Sequence, residues 1–273
     1  MLSALQHILV NLGLHGEASQ FAVLFGLIFA RISIAVGLSP FLGGKTVSGK
    51  VKVGLAVGIS AVLFENVAPN YPPSLSTVTF ICLLVKEVVI GATIGIFAQL
   101  IFHSVQMAGA LVDYGRGMSQ AALFAPQLET NTSLLGQLQF QAALIFFLML
   151  NGHLLFLHAL GQSFFRLPIL TFPAFSGGIV AATDQVARYT AESLRIAVQL
   201  SAPALLALFL VDVSFGMLGR VASGLNVHNE SQPVKAMVGL AIALLALAYM
   251  FHGMPKHFEE LIQQIGQLTG HLR

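Results

Sequence analysis

The chain has 273 residues, 56% of them hydrophobic and 9% charged, with a mean hydropathy of +0.84. A soluble domain carries about 25% charged residues, so this chain cannot cover itself in water and is read as a membrane protein. Its net charge of +2 and pI near 8.8 come without the clustered Lys and Arg of a nucleic-acid footprint, which excludes a nucleic-acid partner.

In chain order, residues 1–20 lack a basic leader and a small-x-small cleavage site and are read as an amphipathic helix entering the first span. An apolar run of about 20 residues crosses roughly 30 Å of hydrocarbon as a helix. Six stretches approach that length: Phe21–Leu38, Val51–Val67, Val78–Phe102, Leu135–Leu157, Ala191–Val213 and Val234–Phe251. The fourth runs on through Asn151-Gly152-His153 to Pro168, too long for one upright span. It is read as one tilted helix, two broken halves, or a hairpin bent near Asn151-Gly152. Lys45, Lys50 and Lys52 make the first connection basic, whereas residues 66–77 carry no charge. By the positive-inside rule the first is cytoplasmic and the second external. The tail, residues 256–273, mixes Phe258, Leu261, Ile262, Ile265 and Leu268 with charge at helical spacing, as in an amphipathic surface helix.

A charge inside an apolar run costs about 2.5 kcal/mol or more at mid-bilayer, so Arg31, Lys86, Glu87 and Asp212 each need a partner or water. Adjacent Lys86 and Glu87 point about 100° apart on a helix and are expected to find different partners. Arg31–Glu87 and Asp212–Arg220 are the expected buried ion pairs; a proton or ion relay and contacts with other subunits are the alternatives. The single cysteine, Cys82, is expected as a small buried hydrophobe. Gly54-xxx-Gly58 and Gly91-xxx-Gly95 allow close helix approach, either within the chain or at a subunit interface. His153 and His158 are five apart, as are His252 and His257. Neither pair has the i, i+4 spacing of a helical metal site, so no metal is expected. Glycine-rich nucleotide loops, a nucleophile elbow and an intramembrane catalytic set are missing from the sequence; no catalytic residue or cofactor is assigned.

Five segments then occur in a fixed order: RISIAVGLSPFLGGKTVSGKVKVGLAV (Arg31–Val57), KEVVIGATIGIF (Lys86–Phe97), GALVDYGRGMSQA (Gly109–Ala121), NGHLLFLHALGQSFFRLPI (Asn151–Ile169) and SAPALLALFLVDVSFGMLGRVASGLNVHNESQPVK (Ser201–Lys235). Together they resemble the FliR/SctT family, export-apparatus membrane proteins of flagellar and virulence type III secretion systems. That resemblance implies an all-α membrane protein of helical hairpins, packed as one subunit of a hetero-oligomeric helical export gate, with residues 1–273 forming a single export-gate domain. It implies FliP/SctR-type and FliQ/SctS-type partners, an FlhB/SctU-type switch protein, unfolded secretion substrates and membrane lipid. The location implied is the bacterial inner membrane, multi-pass by hydropathy, raised toward the periplasm within the basal body. Arg31, Lys86, Glu87, Asp113, Arg116, Asp212, Arg220 and Lys235 would then make polar contacts within or between subunits.

The resemblance also places Gly115–Asn131 as a loop reaching into the export channel. Met118, Leu123 and Phe124 would form the plug, with Gly115, Gly117 and Pro126 as hinges. The residue types fit: glycine turns freely, methionine adapts, and an apolar knob excludes water from a narrow pore. Phe124 either seals the pore or packs in the subunit's own core. Ala125-Pro126 stands where many relatives show Asp-Pro, and ASGLNVHNESQPVK departs from the Pro-Gln-x-Asn pattern of flagellar relatives. The Asp113…Arg116-Gly117 pattern is closer to the virulence branch. The rival function is a self-contained proton-coupled solute transporter with Glu87 or Asp212 at its midplane and an inverted repeat; KEVVIGATIG and LFLVDVSFGM align poorly as such a repeat.

Overall fold

The structure, a computed structural model, describes residues 18–44, 47–67, 75–118, 133–172, 178–221 and 229–245; for 18, 19, 178–183 and 185 only the helical backbone is described. The described residues are all-helical, without strands: α1 (Ala18–Leu38), α2 (Gly49–Val67), α3 (Thr77–Gly115), α4 (Leu134–Met149), α5 (Gly152–Arg166), α6 (Gly178–Val221) and α7 (residues 229–245). They pack into two compact units. The first holds α1, α2, α3 up to Gln99, α5 from His153 and the start of α6. The second holds α3 from Leu100, α4, α6 from Val186 and α7.

The first unit is organised by α1. Phe21, Leu24, Leu27, Ile28, Arg31, Ile32, Ala35 and Val36 are buried, the three-to-four-residue spacing of one helix face. Arg31 therefore sits on the inward stripe, among leucines and isoleucines. On α3 the buried positions Leu83, Lys86, Glu87, Ile90, Ile94 and Phe97 repeat in the same way. The two helices meet backbone to backbone. A Cβ on Gly91 would strike the Arg31 carbonyl oxygen, and one on Gly95 would lie 2.6 Å from Leu38 Cβ. Gly91-xxx-Gly95 is thus an intrachain packing motif. Gly54 and Gly58 on α2 meet nothing within 4 Å. Phe64 of α2 packs against Phe21 and Phe25 of α1, ring centroids 6.2 and 6.0 Å apart.

In the second unit, Val112, Leu135, Ala204, Leu208 and Ala243 form one buried cluster drawn from α3, α4, α6 and α7. Phe102 on α3 meets Phe147 of α4 edge-on at 5.3 Å. Glycine again sets a close crossing: a Cβ on Gly109 would lie 2.6 Å from Gly136 Cα, and one on Gly136 2.6 Å from the Gln106 carbonyl. The long fourth stretch of the sequence is two helices, α4 and α5, bent at a two-residue break. Asn151 ends α4 at φ +57°, a left-handed conformation that Asn tolerates better than most residues. One continuous tilted helix is thereby excluded for that stretch.

The six expected spans do not all hold. Among the described residues three helices are long and apolar enough to cross a membrane, Gln20–Leu38, Thr77–Gly115 and Val186–Val221, or four if the bent α4–α5 pair is one span. The α2 helix forms where expected but carries Lys50, Lys52 and Glu65 within its 19 residues. The sixth stretch is helical over residues 234–245, and 246–251 lie outside the described residues. Cys82 is exposed rather than buried, because it lies on the outer face of α3 with Val78, Ile81 and Val85. The amphipathic segment ahead of residue 18 and the tail 256–273 lie outside the described residues.

Replacing Gly91 by Ala forces α1 and α3 apart at the Arg31 carbonyl and is expected to cost about 1–3 kcal/mol, read as a lower unfolding midpoint of the purified chain in detergent. Gly54→Ala faces open space and is expected to leave that midpoint unchanged or raise it, alanine being about 1 kcal/mol the better helix former.

Candidate functional site

Two polar clusters stand out against the apolar interior, one in each unit. In the first unit Arg31 and Glu87 are both fully buried. The Arg31 Nε donates to Glu87 Oε2, which makes the expected ion pair. Arg31 Nη1 donates to Ser163 Oγ at 3.2 Å, and Nη2 to the Leu167 carbonyl at 2.9 Å. The guanidinium also lies over the Phe164 ring, 4.1 Å from its centroid, a cation–π arrangement. Every arm of this side chain is engaged, as a buried charge requires.

Lys86 corrects one expectation. Its Nζ reaches back to 2.8 Å from Glu87 Oε1, so the neighbours on α3 do pair: the four-carbon stem of lysine is long and flexible enough to span the angular offset. That approach is off the hydrogen-bonding direction, and Glu87 Oε1 has no hydrogen-bond donor. The same Nζ donates to the carbonyls of Pro168 (2.9 Å), Ile169 (2.7 Å) and Thr171 (3.0 Å). With the Arg31 bond to Leu167, two cations close the C-terminal end of α5 and the turn after it. A helix C-terminus carries partial negative charge and unpaired carbonyls, so the placement suits both.

The second cluster lies where α3 ends. Arg116 N–H donates to the Val112 carbonyl, and Gly117 N–H to that of Tyr114, each at 3.0 Å. Gly117 at φ +80° takes the left-handed position that ends many helices. Gly115 packs against Leu205 and Leu208 of α6. Asp113, 3% exposed, binds Arg116 through Oδ1. Its Oδ2 accepts from Ser133 Oγ at 2.6 Å and from the Leu135 N–H at 2.9 Å. Ser133 Oγ in turn accepts from the Gly136 N–H at 2.8 Å, the N-cap bond of α4. One carboxylate thus holds the end of α3 and the start of α4, the two ends flanking residues 119–132. Met118 is half-buried; Leu123, Phe124 and Pro126 lie outside the described residues.

Asp212, expected to pair with Arg220, pairs instead with Lys235 of α7. On α6 Arg220 stands eight residues on, about 12 Å of rise away, beyond side-chain reach, and it is exposed. Ser133, Ser163, Phe164 and the carbonyls after α5 carried no signal as partners in the sequence, because each meets its charge only through tertiary packing. The local cue that existed was Ser133 immediately ahead of an apolar helical run, an N-cap pattern. Among the described residues no three His, Cys, Asp or Glu side chains gather to hold a metal.

An all-helical membrane protein with charges buried in its apolar helices, each met by polar partners within its own unit, is the class these features define. The chain matches the family described as Bacterial export proteins, family 1, over residues 22–261, and it belongs to that family, the FliR/SctT family named above. It is 31% identical to the flagellar biosynthetic protein FliR of Bacillus subtilis, over 83% of this chain and 87% of that protein. It is 32% identical to the secretion system apparatus protein SsaT of Salmonella typhimurium, over 86% and 91%. It is 29% identical to the Yop proteins translocation protein T of Yersinia pestis, over 84% and 87%. Flagellar and virulence relatives match to similar degrees, so the likeness is to what the two kinds of machine share.

Glu87→Gln removes the one carboxylate between Arg31 and Lys86 with little change of shape. Stranding two buried cations is expected to cost about 3–5 kcal/mol, seen as a sharp fall in the unfolding midpoint and in membrane abundance.

Proposed function

We propose that this protein is a component of a bacterial type III export apparatus, a non-enzymatic subunit of the gate that passes unfolded proteins across the inner membrane. The match across residues 22–261 to a family of export proteins with flagellar and virulence members carries this function. Its partners are other components of that machine, specifically FliP/SctR-type and FliQ/SctS-type subunits and an FlhB/SctU-type switch protein. The lengths of the helices support assembly. The 39 residues of α3 and the 44 of α6 extend about 58 and 66 Å, roughly twice the hydrocarbon thickness of a bilayer. Apolar side chains stay exposed along both, from Val78 to Ile96 on α3 and from Leu194 to Val221 on α6. Lipid alone covers about half such a length; neighbouring subunits and a position raised toward the periplasm account for the rest.

Gating is assigned to the segment between α3 and α4, with Met118, Leu123 and Phe124 as the apolar plug and Gly115, Gly117 and Pro126 at its turns. The clamp of Asp113 on both flanking helix ends supports this, since a plug has to be held at its base against the push of a passing chain. The virulence branch is favoured by the Asp113…Arg116-Gly117 pattern. A self-contained proton-coupled transporter would need Glu87 or Asp212 free to exchange protons or bind solute. Glu87 is fully buried and engaged by Arg31 and Lys86, and Asp212 is engaged by Lys235.

Expressed with its export partners, the chain is expected to co-purify with two small helical membrane proteins in a fixed ratio; a monodisperse monomer that binds solute would overturn the function. Leu123→Ala with Phe124→Ala is expected to leave that complex intact while raising leakage of small dyes across membranes that contain it. Unchanged leakage would remove the plug.

A further inference from the structure

We infer that Asp113 is a positioning residue through which α7 acts on the ends of α3 and α4, with Gly239 as the contact on α7. The inference rests on the gating function above and adds the element that controls it.

Asp113 is buried and its two oxygens receive three donors: Arg116, the Ser133 hydroxyl and the Leu135 N–H. Of these only Arg116 brings a positive charge, and charge-assisted bonds are the strong ones. Arg116 is itself weakly held. Its Nε is buried with no hydrogen-bond partner among the described residues, so its one polar tether is Asp113. What keeps the side chain in place is packing: its Cγ and Cδ fill the space that a Cβ on Gly239 would occupy. A second contact has the same character, since Gly117, at the left-handed turn, faces Gln232 of α7 where a Cβ would lie 2.6 Å from Oε1.

Gln232, Lys235, Gly239 and Ala243 recur at helical spacing and so share one face of α7. That face touches Gly117, pairs with Asp212, presses on Arg116 and enters the buried cluster with Val112 and Leu135. A displacement of α7 cannot leave Arg116 where it is, because the side chain rests on bare backbone with no intervening methyl to yield. Losing Arg116 leaves the Asp113 carboxylate buried with two neutral donors only, which loosens its hold on the start of α4. The position of α7 is thereby read out at both helix ends flanking residues 119–132.

Three variants of the full chain, assembled with its export partners in membranes, separate the steps. Asp113→Asn keeps an oxygen for Ser133 and Leu135 but turns an NH2 group toward Arg116, breaking the α7 arm alone. Gly239→Ala displaces Arg116 from the other side without touching Asp113. Arg116→Met keeps the bulk and removes the tether, and it decides the matter if Gly239→Ala fails to assemble. Each is expected to assemble and to raise dye leakage about tenfold. Asp113→Asn with Gly239→Ala is expected to leak no more than the leakier single variant, because both act through Arg116. Independent sites would multiply to about a hundredfold, and that result overturns the coupling, as do tight variants when Leu123→Ala with Phe124→Ala leaks. If that alanine pair is itself tight, gating fails, and hydrogen exchange in the purified complex decides the coupling. Arg116→Met is expected to speed exchange at the Leu135 and Gly136 amides about tenfold; unchanged exchange there overturns it.

Discussion

A guanidinium with no exposed surface is the constraint from which the first unit follows. Arg31 cannot be buried without a carboxylate in reach, and Glu87 is in reach only because α1 and α3 cross with Gly91 and Gly95 between them. The same burial obliges Ser163 and the Leu167 carbonyl to stand at the other arms, which fixes the end of α5 against the pair. Removing any of these leaves a desolvated charge, so helix crossing, salt bridge and helix end are one solution rather than three features.

Both polar clusters obey the same electrostatic rule with opposite sign. Lys86 and Arg31 meet the carbonyls that end α5, where a helix terminus is partially negative; Asp113 meets the N–H groups that begin α4, where it is partially positive. Both depend on side chains of α3, Lys86 and Glu87 in one unit and Asp113 in the other. A helix end in an apolar protein has no water to satisfy its free backbone groups. Placing the buried charges at those ends answers two needs together: the charge gains oriented partners, and the terminus loses its unpaired groups.

The helical class, the Arg31–Glu87 pair and the family were legible in the sequence, because hydropathy, mid-span charges and motif order all survive without coordinates. The long stretch after Leu135 was legible only as a set of choices; Asn151 at positive φ removes the continuous helix from among them. The Lys86–Glu87 pair was not legible, because adjacent residues diverge by about 100° on a helix while a flexible lysine stem still turns its Nζ to the neighbouring carboxylate. The partner of Asp212 was not legible, because Lys235 meets it only through the packing of α7 on α6. The exposure of Cys82 was not legible, because an apolar run in a membrane protein has an outer face where apolar character does not mean burial. Ser133, Gly239 and Ser163 had no reading at all, since their importance exists only once distant segments meet.

The two clusters differ in how completely they are satisfied, and that difference bears on what each is able to do. Arg31 uses Nε, Nη1, Nη2 and its ring face, each on a different partner, and a buried side chain held at every arm is hard to move. Among the described residues Arg116 has a single polar bond, an unpaired Nε and a seat made of glycine backbone. Moving Arg31 would break several bonds in a medium that offers no replacements; moving Arg116 breaks one. A gate needs a brace that does not yield and a joint that does. The first unit, with α1, α3 and α5 tied through Arg31, has the character of the brace, and the end of α3, held by Asp113 and leaned upon by α7, has the character of the joint.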